Sequence, residues 1–139
     1  MTKQQCAVLF VNPGTRTAYP ASLRETGFVV QETREWPADD QDMRDYHVVI
    51  VRLRALDEAP MVAARLRAKP HFGQRLLIAL VPAQTQLVEC RSAFAAGFDD
   101  VVAEGCDSRQ LIARILRGLR ARPELRCLLP PPPSRRAVA

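Results

Sequence analysis

Long apolar runs are missing from this chain of 139 residues. No segment approaches the roughly 20 residues of a membrane span, and the N-terminal Met-Thr-Lys-Gln-Gln is not a basic leader ahead of an apolar run. The expectation is a cytoplasmic protein that does not enter the membrane and is not exported by that route. Cysteine is sparse and scattered. Cys6, Cys90, Cys106 and Cys127 show no C-x-x-C spacing and mostly fall inside apolar runs, which argues against a metal ribbon and suits reduced thiols packed as small hydrophobes. Cys106 opens a predicted helix, a position that favours thiolate, but burial as an inert thiol is the simpler reading. His47 and His71 have no His, Cys or carboxylate at ligand or triad spacing, so no metal centre is expected. The six glycines form neither G-x-G-x-x-G nor a P-loop, so no cofactor is expected either. Aromatic residues make up only 6%, no stacking residues interleave the basic stretches, and there is no helix-turn-helix pattern.

What is present is charge of one sign at one end. Residues 1–106 hold 12 Lys/Arg against 13 Asp/Glu, whereas residues 107–139 hold 8 against 2. The net charge of +5 therefore belongs to the last helix and the tail, as a solvated face or a patch for an acidic partner.

Short unbroken apolar runs recur at Cys6–Val11, His47–Leu53 and Leu76–Val81, with shorter strand candidates at Phe28–Gln31 and Val101–Ala103. Such runs suit strands covered on both faces. Helical candidates alternate with them at Ala18–Thr26, Ala38–Tyr46, Glu58–Lys69, Thr85–Ala96 and Ser108–Arg122. The first two are irregular by expectation, because Pro20 is tolerated only near a helix start and Pro37–Asp45 is short and acidic. Strict alternation with right-handed crossovers predicts an α/β fold: a doubly wound, five-stranded parallel sheet with helices on both faces, in the flavodoxin-like order 2-1-3-4-5. In the last helix Leu111, Ile112, Ile115, Leu116 and Leu119 share one face, with Arg114, Arg117 and Arg120 opposite. One domain spans residues 1–126. Residues 127–139, with Pro130–Pro133, read as an extended linker or tail.

The stretch Ala95-Ala96-Gly97-Phe98-Asp99-Asp100-Val101-Val102-Ala103-Glu104-Gly105-Cys106-Asp107 ends a helix at Gly97, runs a short strand, and starts a helix at Asp107, with Gln110 at capping-box spacing. It resembles the last third of a response-regulator receiver (CheY-like) domain, which typically reads Gly-Ala-Asp-Asp-Tyr-hydrophobic-Thr-Lys-Pro-Phe-Asp, and the resemblance covers residues 6 to about 122. The resemblance implies a magnesium-dependent phosphoryl acceptor: acidic residues after the first strand, an Asp ending the third, Ser or Thr after the fourth, Lys after the fifth. Each is replaced. Asn12 and Pro13 stand for the acidic pair, Arg52 for the acceptor Asp, Val81 for the hydroxyl and Glu104 for the Lys, while Val101 replaces the switching aromatic. A neutral amide is a poor magnesium ligand and a guanidinium is no nucleophile, so no enzymatic or acyl-phosphate chemistry is expected. Asp57, in the loop beyond Arg52, reads as a helix cap.

The charges at positions 52 and 104 invert the family's Asp-Lys pair, which predicts a swapped salt bridge across the top of the sheet, an interaction of about 4 kcal/mol before desolvation. The resulting reading is a non-phosphorylatable pseudo-receiver, a protein-interaction or dimerisation module in bacterial signal transduction or transcriptional regulation. By resemblance its interface would comprise Glu89, Arg91, Asp99, Asp100, Arg109, Arg114, Arg117 and Arg120, meeting a second copy across a two-fold axis or another signalling protein. A C-terminal output domain would follow the proline run, and DNA would be met only indirectly. Two alternatives remain open: nucleic-acid binding by the Arg-rich last helix with Arg135-Arg136, and anion or small-molecule sensing at the strand ends by Arg52. Trp36 reads as core or as an interface anchor.

Overall fold

The computed structural model describes residues 5–11, 18–34, 43–73, 75–123 and 125. The strands are β1 (Ala7–Val11), β2 (Val29–Thr33), β3 (Val48–Arg52), β4 (Leu76–Val81) and β5 (Asp100–Ala103), and the helices are α1 (Tyr19–Thr26), α2 (Ala59–Arg67), α3 (Leu87–Ala96) and α4 (Ser108–Arg120). All pairings are parallel and the strand order is β2-β1-β3-β4-β5, the order expected from the alternation of runs. Successive side chains of a strand point to opposite faces. Val8, Phe10, Val48, Ile50, Leu76, Ile78 and Leu80 therefore enter one core, closed by Tyr19 and Leu23 of α1 and Leu111, Ile115 and Leu119 of α4. Leu9, Val11, Val49, Val51, Leu77, Ala79 and Val81 enter the other, closed by Val62, Ala63 and Leu66 of α2 and Ala93 of α3. With both faces covered, every β4 residue is buried, which is why its sequence is apolar without alternation.

Several boundaries differ from expectation. β2 runs on through Thr33 because, as an edge strand, it needs no apolar continuation to stay paired with β1. The helix expected at residues 38–46 is, within the described residues, a single 3-10 turn at Met43–Asp45, anchored by buried Met43. Arg75 holds that turn by donating from Nε to the Met43 and Tyr46 carbonyls at 3.2 and 2.9 Å. Asp57 caps nothing: it lies within a 3-10 turn at Leu56–Glu58, and α2 starts after Glu58 with Pro60 in its first turn and no side-chain cap. Asp107 does cap α4, accepting from Arg109 N–H at 3.0 Å, one donor earlier than the Gln110 amide that a capping box uses. Gly97 closes α3 at φ 119°, as its position after the Ala-rich turn predicts. Gly118, in the last turn of α4, packs directly on β4: a Cβ there would sit 2.6 Å from Leu76 Cδ2, so the Leu76 side chain would have to shift. Among the described residues no helix is long and apolar enough to cross a membrane. Cys6, Cys90 and Cys106 are free thiols, and burial pushes the Cys6 thiol up to about 12. Asn12, Pro13, Trp36, Cys127, the tail from 127 and Arg135-Arg136 lie outside the described residues.

Candidate functional site

In a doubly wound sheet the loops after the strands gather at one edge, where such folds place their chemistry. Arg52 is the last residue of β3, in register with Leu80 of β4, and Glu104 follows β5, its N–H donating to the Val81 carbonyl at 2.6 Å. Both side chains lean over the end of β4, and Arg52 Nε donates to Glu104 Oε1 at 2.7 Å. The swapped ion pair expected from the two charge reversals is thus formed. Its members remain 29% and 27% exposed, so water screens the pair and most of its effect is one charge-assisted hydrogen bond. Val81, in the position of the family's hydroxyl, is fully buried between them in sequence order and offers only its carbonyl to the loop. Val101 is half-buried against the core on the α2 and α3 side.

A second tie closes the same edge. Tyr19, the first residue of α1, donates its hydroxyl to the Cys106 carbonyl at 2.7 Å and accepts the Gly105 N–H at 3.1 Å. The ring is buried in the α1–α4 core, so the phenol acts as a staple between α1 and the loop after β5. Burial, followed by the hydrogen bond to Cys106, raises the Tyr19 pKa and keeps the phenol protonated. Sequence reasoning missed this residue, because its partners are backbone groups of a loop.

The residues assigned to an interface do not form one free mixed-charge face. Asp100 is buried, at 6% exposure, and its carboxylate accepts the Val101 N–H at 2.8 Å, Arg114 Nη1 at 3.0 Å and, as an ion pair at 3.6 Å, Arg117 Nη2. Asp99 accepts the Leu77 N–H at 2.7 Å and pairs with Arg122 at 2.7 Å and Arg67 at 3.6 Å. Glu89 folds back on its own helix and accepts the Gln86 N–H at 3.3 Å. The three carboxylates of the set are therefore engaged within the chain. Arg91, Arg109 and Arg120 are exposed. Arg67 and Arg122, which sequence reasoning passed over, anchor Asp99, and Arg67 also stacks on Phe72 at 5.4 Å. Among the described residues no group of three or more His, Cys, Asp or Glu is placed to hold a metal ion.

This architecture is the receiver fold of two-component signalling. The chain superposes on the chemotaxis protein CheY4 of Vibrio cholerae with a TM-score of 0.60 at 16% identity, covering 84% of this chain and 100% of that one. It matches the receiver domain of a sensor histidine kinase of Pseudomonas aeruginosa, solved with a magnesium ion in its active-site cleft, with a TM-score of 0.60 at 23% identity over 82% of this chain and 97% of that one. An orphan response regulator of H. pylori aligns with a TM-score of 0.57 at 21% identity over 83% and 97%. No protein-family model and no curated protein matches the chain.

Proposed function

We propose that this chain is a receiver-fold module that binds another protein in signal transduction or transcriptional control without being switched by phosphorylation, and that it is not an enzyme. The observation that carries this reading is the Arg52–Glu104 pair at 2.7 Å. Acyl-phosphate formation needs a carboxylate oxygen to attack phosphorus and a divalent cation to neutralise the phosphoryl oxygens. At the end of β3 this chain offers a guanidinium, which has no lone pair to attack with and repels a cation. The nearest carboxylate, Glu104, already neutralises Arg52. This donor set, a guanidinium beside a carboxylate it already neutralises, does not fit magnesium.

The test is sedimentation equilibrium over a wide concentration range, with and without magnesium and beryllofluoride, together with exposure to radiolabelled acetyl phosphate. Indifference to both additives and no acid-stable or acid-labile label is the expected result. A shift in assembly with beryllofluoride, or label lost on Arg52→Ala, overturns the reading. A nucleic-acid role for the last helix draws little support, because Arg114 and Arg117 are drawn toward Asp100.

A further inference from the structure

β2 is an end strand of the sheet, bonded to β1 on one side. In a parallel pair the backbone groups of alternate residues point toward the neighbour and those of the residues between them point away. The Val29 N–H donates to the Cys6 carbonyl at 3.0 Å, so Val29, Gln31 and Thr33 serve β1, while Val30 and Glu32 turn both N–H and C=O outward. Such an edge is a template for another strand unless something blunts it. β2 reads Val-Val-Gln-Glu-Thr, without proline, glycine or lysine. The other end strand, β5, has only four residues, and its Val101 N–H is taken by the Asp100 carboxylate at 2.8 Å. On β2 the guard comes from α1: Arg24 Nη2 donates to the outward Val30 carbonyl and to Glu32 Oε2, both at 3.0 Å. The two side chains are 48% and 42% exposed, so water competes for both and the guard yields at small cost.

The strand is complementary to itself. Set two copies of β2 antiparallel about a two-fold axis through Gln31, and Val30 of each faces Glu32 of the other, so that every outward N–H of the two strands meets an outward carbonyl. Within β2 no other axis pairs them all. On one face the Gln31 amides meet across the axis, flanked by Val29, 49% exposed, against Thr33, a pair of β-branched side chains. On the other face the two Glu32 side chains stand diagonally, about 7–8 Å apart, each neutralised by its own Arg24. We propose that the outer edge of β2 pairs with β2 of a second copy of this chain, antiparallel and centred on Gln31, and that Arg24 keeps this contact weak by occupying the Val30 carbonyl. The contact uses neither Arg52 nor Glu104 and lies apart from α3, β5 and α4, so it stands whether or not the opposite reading of the phosphoryl edge holds.

The experiment is sedimentation equilibrium of the whole chain over a wide concentration range, comparing the wild type with two double variants that share Arg24→Ala. Adding Glu32→Thr clears the Val30 carbonyl and keeps the outward N–H on a neutral β-branched residue. Adding Glu32→Pro clears the same carbonyl but removes that N–H, which β1 does not use, so the ladder to β1 survives. Circular dichroism with a thermal melt verifies that both fold. The threonine variant should dimerise at least tenfold more tightly than the wild type, and the proline variant at least tenfold more weakly than the threonine variant. The register is read separately by cysteine cross-linking at exposed positions. A directly opposed, non-hydrogen-bonded pair brings its Cα atoms to about 4.5 Å, within disulfide reach, so Gln31→Cys should link two copies through position 31 on mild oxidation. Thr33→Cys, which faces Val29 of the other copy, should not link through position 33; mass spectrometry locates the bonds against the background of the native thiols. Equal association of the two double variants, growth beyond the dimer, or linkage at 33 as ready as at 31 overturns the proposal. Monomers in every form overturn it as well and leave the edge to a strand of another protein, and a dimer dispersed by Arg117→Glu but not by the proline variant overturns it by placing the contact on α4.

Discussion

Single side chains decide how the functional edge is held. The Tyr19 hydroxyl satisfies one loop acceptor and one loop donor at once, so Tyr19→Phe strands the Gly105 N–H and the Cys106 carbonyl with little change in packing. Each lost hydrogen bond is worth about 1 kcal/mol, and we expect a destabilisation of about 1–2 kcal/mol by urea denaturation, with faster amide exchange at Gly105. His47, at the opposite end of the sheet, accepts the Ala7 N–H on Nδ1 at 3.0 Å, and that nitrogen cannot accept once protonated. Burial, then the nearby Arg75 charge, lowers its pKa below the ordinary 6.5. The folded state thus binds this proton less readily than the unfolded state. The stabilisation is complete above about pH 6.5 and fades as pH falls below it toward the folded value. Stability measured between pH 7.5 and 5 should decline with acidification, and His47→Asn should flatten that decline. An unchanged slope in the variant would assign the titration elsewhere.

At the scale of elements, the last turn of α4 lies so close to the start of β4 that any side chain at Gly118 meets Leu76. Replacing Gly118 by Ala gains about 1 kcal/mol of helix propensity but drives a methyl to 2.6 and 2.7 Å from the two Leu76 methyls and 3.2 Å from its Cγ. Leu76 is buried and held by the α1–α4 core, so overpacking wins, and we expect a net loss of about 1–2 kcal/mol, relieved by adding Leu76→Val. The elements also show what was legible beforehand. Strand identity and order followed from the unbroken runs of Val, Leu and Ile, which only a doubly covered sheet demands. The apolar face of α4 followed from its period. The far ends of the arginines on its other face did not: periodicity tells which way Arg114 and Arg117 leave the helix, not that their long side chains reach Asp100. Asp57 misled because a carboxylate ahead of an apolar run looks like a cap, whereas Pro60 already fixes the start of α2. The ion pair at the sheet edge could be read because two charges changed sign together, at positions 52 and 104. The Tyr19 staple could not, because the backbone groups it serves leave no mark in the sequence.

For the whole molecule, the Arg52–Glu104 bond is the link that spans three strands, joining the ends of β3 and β5 over β4. It also stands where the resemblance puts an acceptor Asp and a Lys, which makes charge exchange an informative perturbation. Arg52→Asp sets two carboxylates side by side, and Glu104→Lys sets two cations there, so each single variant should lose about 1 kcal/mol or more through repulsion and the lost bond. The double exchange restores opposite charges on the same two strand ends and should recover at least half of the combined loss. The coupling energy from the four-membered cycle should come to about 1 kcal/mol, reduced at high salt because both groups remain in contact with water. The exchanged protein also separates stability from chemistry. It carries an Asp and a Lys where an acceptor and its partner belong, yet Val81 still supplies no hydroxyl and Asn12 and Pro13 no acidic pair. It should regain its melting temperature without taking label from acetyl phosphate. Labelling of the double variant would mean that two charges alone separate this chain from an active receiver; additive losses would mean that Arg52 and Glu104 act independently and that the loops are held by Tyr19.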